Sequence, residues 1–497
     1  MKYIIALDQG TTSSRAVLFD EMGRECAQHG IEFTQHYPQP GWVEHDPNDI
    51  LTTQIKSLKM VVEKSKVDVH DIVAIGITNQ RETTLLWDRA TGESVYNAIV
   101  WQCRRTAPLI QRLKHDGLSN VIRERTGLLP DAYFSGTKLQ WMLANVSGVR
   151  DRADRGALCF GTVDSFLAYH LTNERVHVTD ATNACRTMLF NLQTQTWDET
   201  MLRALDIPES VLPEVVDSSR VIGTLRSDIL GHPIPIASLV GDQHSALFGQ
   251  GCFSSGMVKN TYGTGCFLLM NTGYTPVRSQ NSLLTTLAWR IDGVPTYALE
   301  GSVFIGGAGV QWLRDEMQMV KSAAETEVIA RSVPDNGGVY MVPAFTGLGA
   351  PHWDMYARGT IVGLTRGTGR SHIVRAVLEA IAFQTRDVLE SMARDSGLKP
   401  GILRVDGGAS ANNFLMQFQA DISGLNVLRP RITETTALGA AMLAARAVGL
   451  WDDKRLDEIW QSDCAFSPSM VSTERERLLR GWQRAIGRAK GWIEEDI

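Results

Sequence analysis

Short blocks of apolar residues alternate with polar, turn-forming ones from the start of the chain, and they predict strands before helices. Residues 3–7 form an apolar run, 8–14 are polar and turn-rich, and 16–19 are apolar again, which reads as a β-hairpin. Residues 20–23 form a turn, and 25–33 a further strand. Asp46-Pro47 then opens a helix: an aspartate caps the first turn, and proline suits the first helical position, where its missing N–H costs nothing. Helical periodicity runs from 48 to about 64, followed by a buried strand at 72–77 and a polar loop at 79–82. Strands mixed with helices predict an α/β fold, with layers packed about each sheet.

The second half repeats part of this plan. The stretch 259–270 again sets small polar residues beside an apolar strand, an echo of Leu7-Asp8-Gln9-Gly10-Thr11-Thr12-Ser13. Val405-Asp406-Gly407-Gly408-Ala409-Ser410 is another strand followed by glycines. Residues 371–394 carry apolar side chains at 373, 374, 377, 378, 381, 388, 389 and 392, the spacing of a helical face, and Gly397 stops that helix. The small-residue segment 435–448 predicts a helix that packs close against a sheet. A chain of 497 residues exceeds what one core of roughly 250–300 residues holds. The boundary falls near 249–256, giving domains 1–250 and 251–497 packed around a cleft.

Composition narrows the function classes. A hydrophobic share of 43% and a charged share of 21% fit a soluble globular enzyme. A formal net charge of -6 and the lack of a basic run argue against a nucleic-acid binder, which needs surplus Lys and Arg to neutralise phosphates. The densest basic stretch, 475–488, is interspersed with glutamates and apolar residues and reads as a solvated helix face. The 7 cysteines are scattered without a C-x-x-C pair, so neither a disulfide framework nor a zinc site is expected, and a reducing cytoplasm is the expected location. The opening apolar run ends at Asp8, too short for a signal peptide, and no run of about 18 apolar residues predicts a membrane span.

Three groups of residues carry candidate chemistry. Asp8-Gln9-Gly10-Thr11-Thr12-Ser13-Ser14-Arg15 is a tight turn whose backbone N–H groups and hydroxyls suit phosphate oxygens. Asp8 at a strand end suits Mg²⁺, and Arg15 offsets phosphate charge; a plain β-turn is the alternative. Gly241-Asp242-Gln243-His244 follows the apolar run 236–240 and precedes a helical stretch at 245–248. Asp242 could accept a hydroxyl proton in phosphoryl transfer, or simply cap the helix. Arg81-Glu82, with Trp101 and Tyr133, offers a donor fork, an acceptor and flat rings that suit a polyol; a surface ion pair and two core aromatics is the alternative. Neither a G-x-x-x-x-G-K-[ST] nor a G-x-G-x-x-G motif occurs, so nucleotide binding of the P-loop or Rossmann kind is not expected. His244, His352 and His372 lack metal-ligand spacing.

Taken in order, these stretches resemble the FGGY family of carbohydrate kinases over nearly the whole chain. Gly41-Trp42-Val43-Glu44-His45-Asp46-Pro47, Trp101-Gln102-Cys103-Arg104-Arg105-Thr106, Tyr262-Gly263-Thr264-Gly265-Cys266-Phe267 and Gly347-Leu348-Gly349-Ala350-Pro351 also match. The resemblance implies two RNase-H-like (actin-like ATPase) domains with ATP and Mg²⁺ in the cleft, and transfer of the γ-phosphoryl group to a terminal hydroxyl of glycerol. Thr11, Thr12, Ser13 and Arg15 match the family's phosphate loop, Thr264 a second one, Gly307 and Gln311 further nucleotide contacts, and Gly408 and Asn412 the adenosine site. Arg81, Glu82, Trp101, Tyr133, Asp242, Gln243 and Phe267 match the glycerol pocket, with Asp242 as base and Asp8 and Asp242 as the carboxylates associated with Mg²⁺. The resemblance further implies a homo-oligomer, dimer or tetramer. Two departures stand out: His244 replaces a customary Gln, and Leu230-Gly231-His232-Pro233 lacks the Arg of a sugar-bisphosphate loop, so inhibition by fructose 1,6-bisphosphate is expected to be weak or absent.

Overall fold

The computed structural model describes residues 1–494. β1 (Tyr3–Gln9) and β2 (Ser13–Asp20) form the expected antiparallel hairpin. The turn is shorter than the polar pattern implies: Gly10 N donates to Ser13 O at 2.9 Å, while Asp8 and Gln9 stand opposite Arg15 and Ser14 within the ladder. Polar residues hold strand conformation here because the ladder satisfies their backbone groups, so polarity alone overstates the turn. β3 (Glu25–Glu32), β4 (Ile72–Asn79), β5 (Ser219–Thr224) and β6 (Pro235–Gly241) complete a 6-stranded sheet in the order β5-β6-β4-β1-β2-β3. β1 and β6 run parallel to β4 in its centre, buried on both faces, which is why their sequences are nearly unbroken apolar runs. α1 (Pro47–Ser65) starts as expected, with Asp46 accepting from Asn48 N at 2.8 Å and proline in the first turn.

The second sheet contains β7 (Val258–Tyr262), β8 (Cys266–Gly273), β9 (Leu284–Ile291), β10 (Val294–Val303), β11 (Ile402–Asp406), β12 (Asn426–Pro430) and β13 (Ser462–Phe466). Its order is β9-β10-β8-β7-β11-β12-β13. The β7–β8 hairpin, with β7 parallel to β11, repeats the β1–β2 hairpin, with β1 parallel to β4. The sequence echo is therefore a structural one, and the architecture is the actin-like, RNase-H-like α/β arrangement in two parts.

Five more helices matter for the site: α2 (Asp242–Gly249), α3 (Gly307–Asp315), α4 (Arg370–Ser396), α5 (Asn413–Ser423) and α6 (Thr435–Ala447). α4 ends where Gly397 adopts φ +69. α6 is the small-residue helix, and it packs against the first sheet as expected: Ser238 Oγ donates to Ala440 O at 2.8 Å. α2 and α6 cross almost backbone to backbone. A Cβ on Gly439 would lie 1.9 Å from Ser245 O, so only glycine fits. A helical layer within 107–205 builds its own apolar cluster around Phe134, Leu139, Met188 and Phe160 and forms one wall of the site. Among the described residues all seven cysteines are free, and no helix is long and apolar enough to cross a membrane.

Candidate active site

Strand β4 ends by delivering Gln80, Arg81 and Glu82 to the junction of the two sheets. The Arg81 stem passes directly over residue 241, where a Cβ would lie 2.7 Å from Arg81 Cγ; this is the close approach that requires Gly241. Arg81 Nη1 and Nη2 donate to the two oxygens of Glu300 at 2.6 and 3.0 Å. Its Nε lies 3.1 Å from Asp242 Oδ1, an ion pair without hydrogen-bond alignment. Glu82 is held in the left-handed region at φ +61, an uncommon conformation for a non-glycine residue. Ser135 Oγ and Thr84 Oγ1 each donate to its carbonyl at 3.0 Å, and Arg186 Nε donates to its carboxylate at 2.6 Å.

Arg81 and Glu82 are both buried, so the surface-pair alternative is excluded. At 3.9 Å apart they also do not grip one another closely; each is matched by a residue that sequence reasoning missed, Glu300 or Arg186. Burial alone would raise the Glu300 carboxyl, but Arg186 and Arg81 hold it well below the usual range. Glu82 stays above its ordinary value because burial outweighs its two arginines. An acid directly after the apolar run Tyr297-Ala298-Leu299, inside β10, was the available signal for Glu300; Arg186 sits in no recognisable motif.

Trp101 and Tyr133 meet edge to face at 5.6 Å, and the Arg186 guanidinium lies 5.6 Å from the Tyr133 ring. The buried Lys138 ammonium donates to the carbonyls of Tyr133 and Phe134 and fixes this wall from behind. Asp242 is the first residue of α2, which starts earlier than the expected 245; the capping position belongs to Gly241, so the capping alternative is not taken. Asp242 Oδ1 accepts from Gln243 N at 2.6 Å, and Oδ2 has no hydrogen-bond partner among the described residues. Burial raises the Asp242 carboxyl, with Arg81 working against it. His244 is buried with Nε2 3.2 Å from Thr286 Oγ1, and burial followed by Arg81 holds it neutral. Gln243 Oε1 accepts from Lys259 Nζ at 2.5 Å. Phe267 stands half-buried on β8, opposite Thr261. His352 pairs with Asp387, and His372 closes the first turn of α4, both structural roles.

The β1–β2 turn presents Thr11, Thr12 and Ser13 at the same junction. Trp101 Nε1 donates to Thr11 Oγ1 at 2.9 Å, which leaves the Thr11 hydroxyl proton free to donate elsewhere. Arg15, expected to offset phosphate charge, already faces Asp8 at 3.0 Å and Glu434 at 2.6 Å. The β7–β8 turn exposes Thr264 and is bound to the start of α3: Gly307 N donates to Gly263 O at 2.8 Å and Ala308 N to Thr264 O at 3.0 Å. Gln311 lies one turn further, exposed. Gly408 is exposed after β11, the strand beside β7. Asn412 is engaged structurally, accepting from Leu415 N at 3.0 Å as the cap of α5 and donating to Thr326 Oγ1 at 3.1 Å. Arg81, Glu82 and Asp242 thus form one charged cluster, Trp101 links Tyr133 to Thr11, and Thr264 and Gly307 meet separately at the start of α3.

Burial raises both the Asp8 and the Asp242 carboxyl; the Asp8 charge adds a little to the rise at Asp242, and Glu434 adds to that at Asp8. Among the described residues no group of three or more His, Cys, Asp and Glu could hold a metal. Two carboxylates without further protein ligands fit a Mg²⁺ that arrives on phosphates, since that ion keeps waters and uses one or two carboxylates plus substrate oxygens. Three buried nitrogens in this cluster, Arg81 Nε, Arg186 Nη1 and His244 Nδ1, lack a hydrogen-bond partner. Buried polar atoms are normally satisfied, so such a concentration marks a place built for a polar ligand.

The N-terminal domain profile of the FGGY family of carbohydrate kinases matches residues 3–249, and the C-terminal domain profile matches 258–448. "Glycerol kinase 2" of Thermotoga maritima is 60% identical over 493 residues, 99% of each chain. "Glycerol kinase" of Alkaliphilus oremlandii is 59% identical over 497 residues, 100% of this chain and 99% of the other. The crystal structure of Plasmodium falciparum glycerol kinase with ADP superposes with a TM-score of 0.93 at 37% identity, covering 98% of both chains.

Proposed function

The chain belongs to the FGGY family of carbohydrate kinases, and from that premise we propose that it transfers the γ-phosphoryl group of ATP to a terminal hydroxyl of glycerol, giving sn-glycerol 3-phosphate. The observation that carries the reading is the free Asp242 Oδ2 next to Arg81, whose Nε is an orphaned donor, as is Nη1 of Arg186 on the far side of Glu300. A small triol supplies oxygens for those donors and hydroxyl protons for Glu82 and Asp242, while Trp101, Tyr133 and Phe267 cover its C–H faces. The relatives named for glycerol point to the same substrate.

In this mechanism Arg81, Glu82 and Gln243 fix the triol so that one hydroxyl oxygen faces the γ-phosphorus. That oxygen bonds to phosphorus, the bond from phosphorus to the β–γ bridging oxygen breaks, and ADP leaves with the electron pair. The hydroxyl proton passes to Asp242 Oδ2. Thr11, Thr12, Ser13 and Thr264 donate to phosphate oxygens, Gly307, Gln311, Gly408 and Asn412 line the nucleotide, and Arg15 remains beside the phosphates. Mg²⁺ held by Asp8 and Asp242 would neutralise charge on the phosphates. Positioning and charge stabilisation do most of the work in such a transfer, and closing the halves keeps water from acting as acceptor. The working unit is a pair of domains, 1–250 and 251–497, in a cytoplasmic homo-oligomer.

The test is ADP release with Mg-ATP alone, with glycerol and with xylulose. Stimulation by glycerol alone is the expected result. Stimulation by xylulose instead would move the substrate to a pentulose, and stimulation by neither would remove the catalytic reading.

A further inference from the structure

Lys259 is fully buried, and the phosphoryl-transfer reading gives it no task. On β7, Val258 and Tyr262 turn into the C-terminal core and Asn260 reaches Thr385 of α4. Strand alternation therefore turns Lys259 and Thr261 the opposite way, toward the start of α2. Its Nζ donates to Gln243 Oε1 at 2.5 Å and to Thr261 Oγ1 at 2.9 Å. Both acceptors are neutral, and no carboxylate lies within ion-pair distance of Nζ among the described residues. Burial pulls the lysine down to about 8, while Asp406 acts to hold the proton. Keeping such a cation buried is costly, and the question is what it achieves.

An amide side chain can be turned over to exchange its oxygen and nitrogen, and its neighbours decide which way it faces. Lysine has donors only, so it admits one orientation of Gln243: oxygen toward Nζ, NH₂ away. That NH₂ has no acceptor among the described residues, and Gln243 is half-buried immediately after Asp242. We propose that Lys259 is a positioning residue for the polyol, locking the Gln243 amide so that its NH₂ donates to a substrate hydroxyl oxygen next to Asp242. This rests on the pocket being a polyol site. The orientation matters chemically. A donor to the hydroxyl oxygen leaves the hydroxyl proton for Asp242, whereas a reversed amide would present an acceptor that competes for it.

The experiment is steady-state kinetics of wild type, Lys259→Met, Lys259→Arg and Gln243→Glu, with glycerol varied at saturating Mg-ATP and the converse. Lys259→Met is expected to raise the glycerol KM about tenfold, the scale of one lost hydrogen bond, with the KM for ATP within about twofold of wild type. Lys259→Arg, still a pure donor, is expected to recover most of the loss. Gln243→Glu keeps an acceptor for Lys259 but removes the NH₂, and is expected to show the same glycerol defect even if Lys259→Met does not fold. An unchanged glycerol KM in Gln243→Glu overturns the proposal, as does a Lys259→Met protein that loses kcat with both KM values unchanged. Wild type without glycerol-stimulated ADP release would overturn the polyol reading itself, a result separate from any difference among active variants.

Discussion

In each half of the molecule a hairpin lays its first strand parallel to a later one, and the residues of the site leave from the ends of those strands. The N-terminal strand ends carry Asp8, Arg81, Glu82 and Asp242, charged side chains that are largely buried. The C-terminal ends carry Gly263, Thr264, Gly265, Gly407 and Gly408, where backbone and small groups face the junction. On the proposed reading, one plan yields two kinds of binding surface. A small neutral polyol is discriminated by directional hydrogen bonds from fixed side chains, whereas a polyphosphate is held by many N–H groups at once. The separation is incomplete at one point: Glu300, from β10 of the second sheet, supplies the counter-charge of Arg81 and Arg186, both from the N-terminal half.

The sharpest way to break this comparison is at Asp242. Asp242→Asn is expected to lower kcat by about 10²–10⁴-fold, the usual worth of a general base, without changing the thermal midpoint; ADP release and a melting curve check both. Glu300→Gln tests whether the C-terminal half completes the N-terminal pocket. It leaves two buried guanidinium groups under-matched and is expected to cost about 3–5 kcal/mol of stability, read from urea unfolding. Retention of full stability would mean that each half is electrostatically self-sufficient.

Acid should separate the halves next. His45, His170 and His177, all in the N-terminal half, are each pushed down to about 4, chiefly by burial. Unfolded histidine takes up its proton near 6.5. Stability from these residues is therefore complete above pH 6.5 and is lost as pH falls toward 4. For the fully buried His45 the loss is about 2–3 kcal/mol, and hydrogen exchange should place the early opening around residues 44–45, 163–171 and 177–180, where these histidines sit. The smallest effect is expected on the nucleotide side. Thr264→Ala should raise the KM for ATP about threefold, the loss of one exposed hydrogen bond, and leave the glycerol KM unaltered.

Much of this plan is legible in the amino-acid order. The hairpins, the capped start of α1, the length of α4 and the close packing of α6 follow from local periodicity and turn chemistry. The candidate residues were also visible, because Asp8, Arg81 and Asp242 sit where apolar runs stop. Their partners were not. Arg81 meets Glu300 across 219 positions, and Arg15 meets Glu434 across a still longer stretch, so no local pattern joins them. The role of Asn412 was hidden for a related reason, since a helix cap is recognisable only once the helix boundary is known. Lys259 reads as an ordinary polar strand residue until the face it occupies is settled by the core beneath β7.

The hydrogen bond from Trp101 to Thr11 has a thermodynamic consequence. In the proposed mechanism one of its ends belongs to the turn that meets phosphate and the other to the ring that covers the polyol. A ligand that shifts either end changes the work needed to place the other. By linkage, whatever factor the nucleotide applies to polyol affinity, the polyol must apply to nucleotide affinity. In Trp101→Phe the indole N–H is gone while a ring remains, so titration of each ligand with and without the other should show that mutual factor moving toward one.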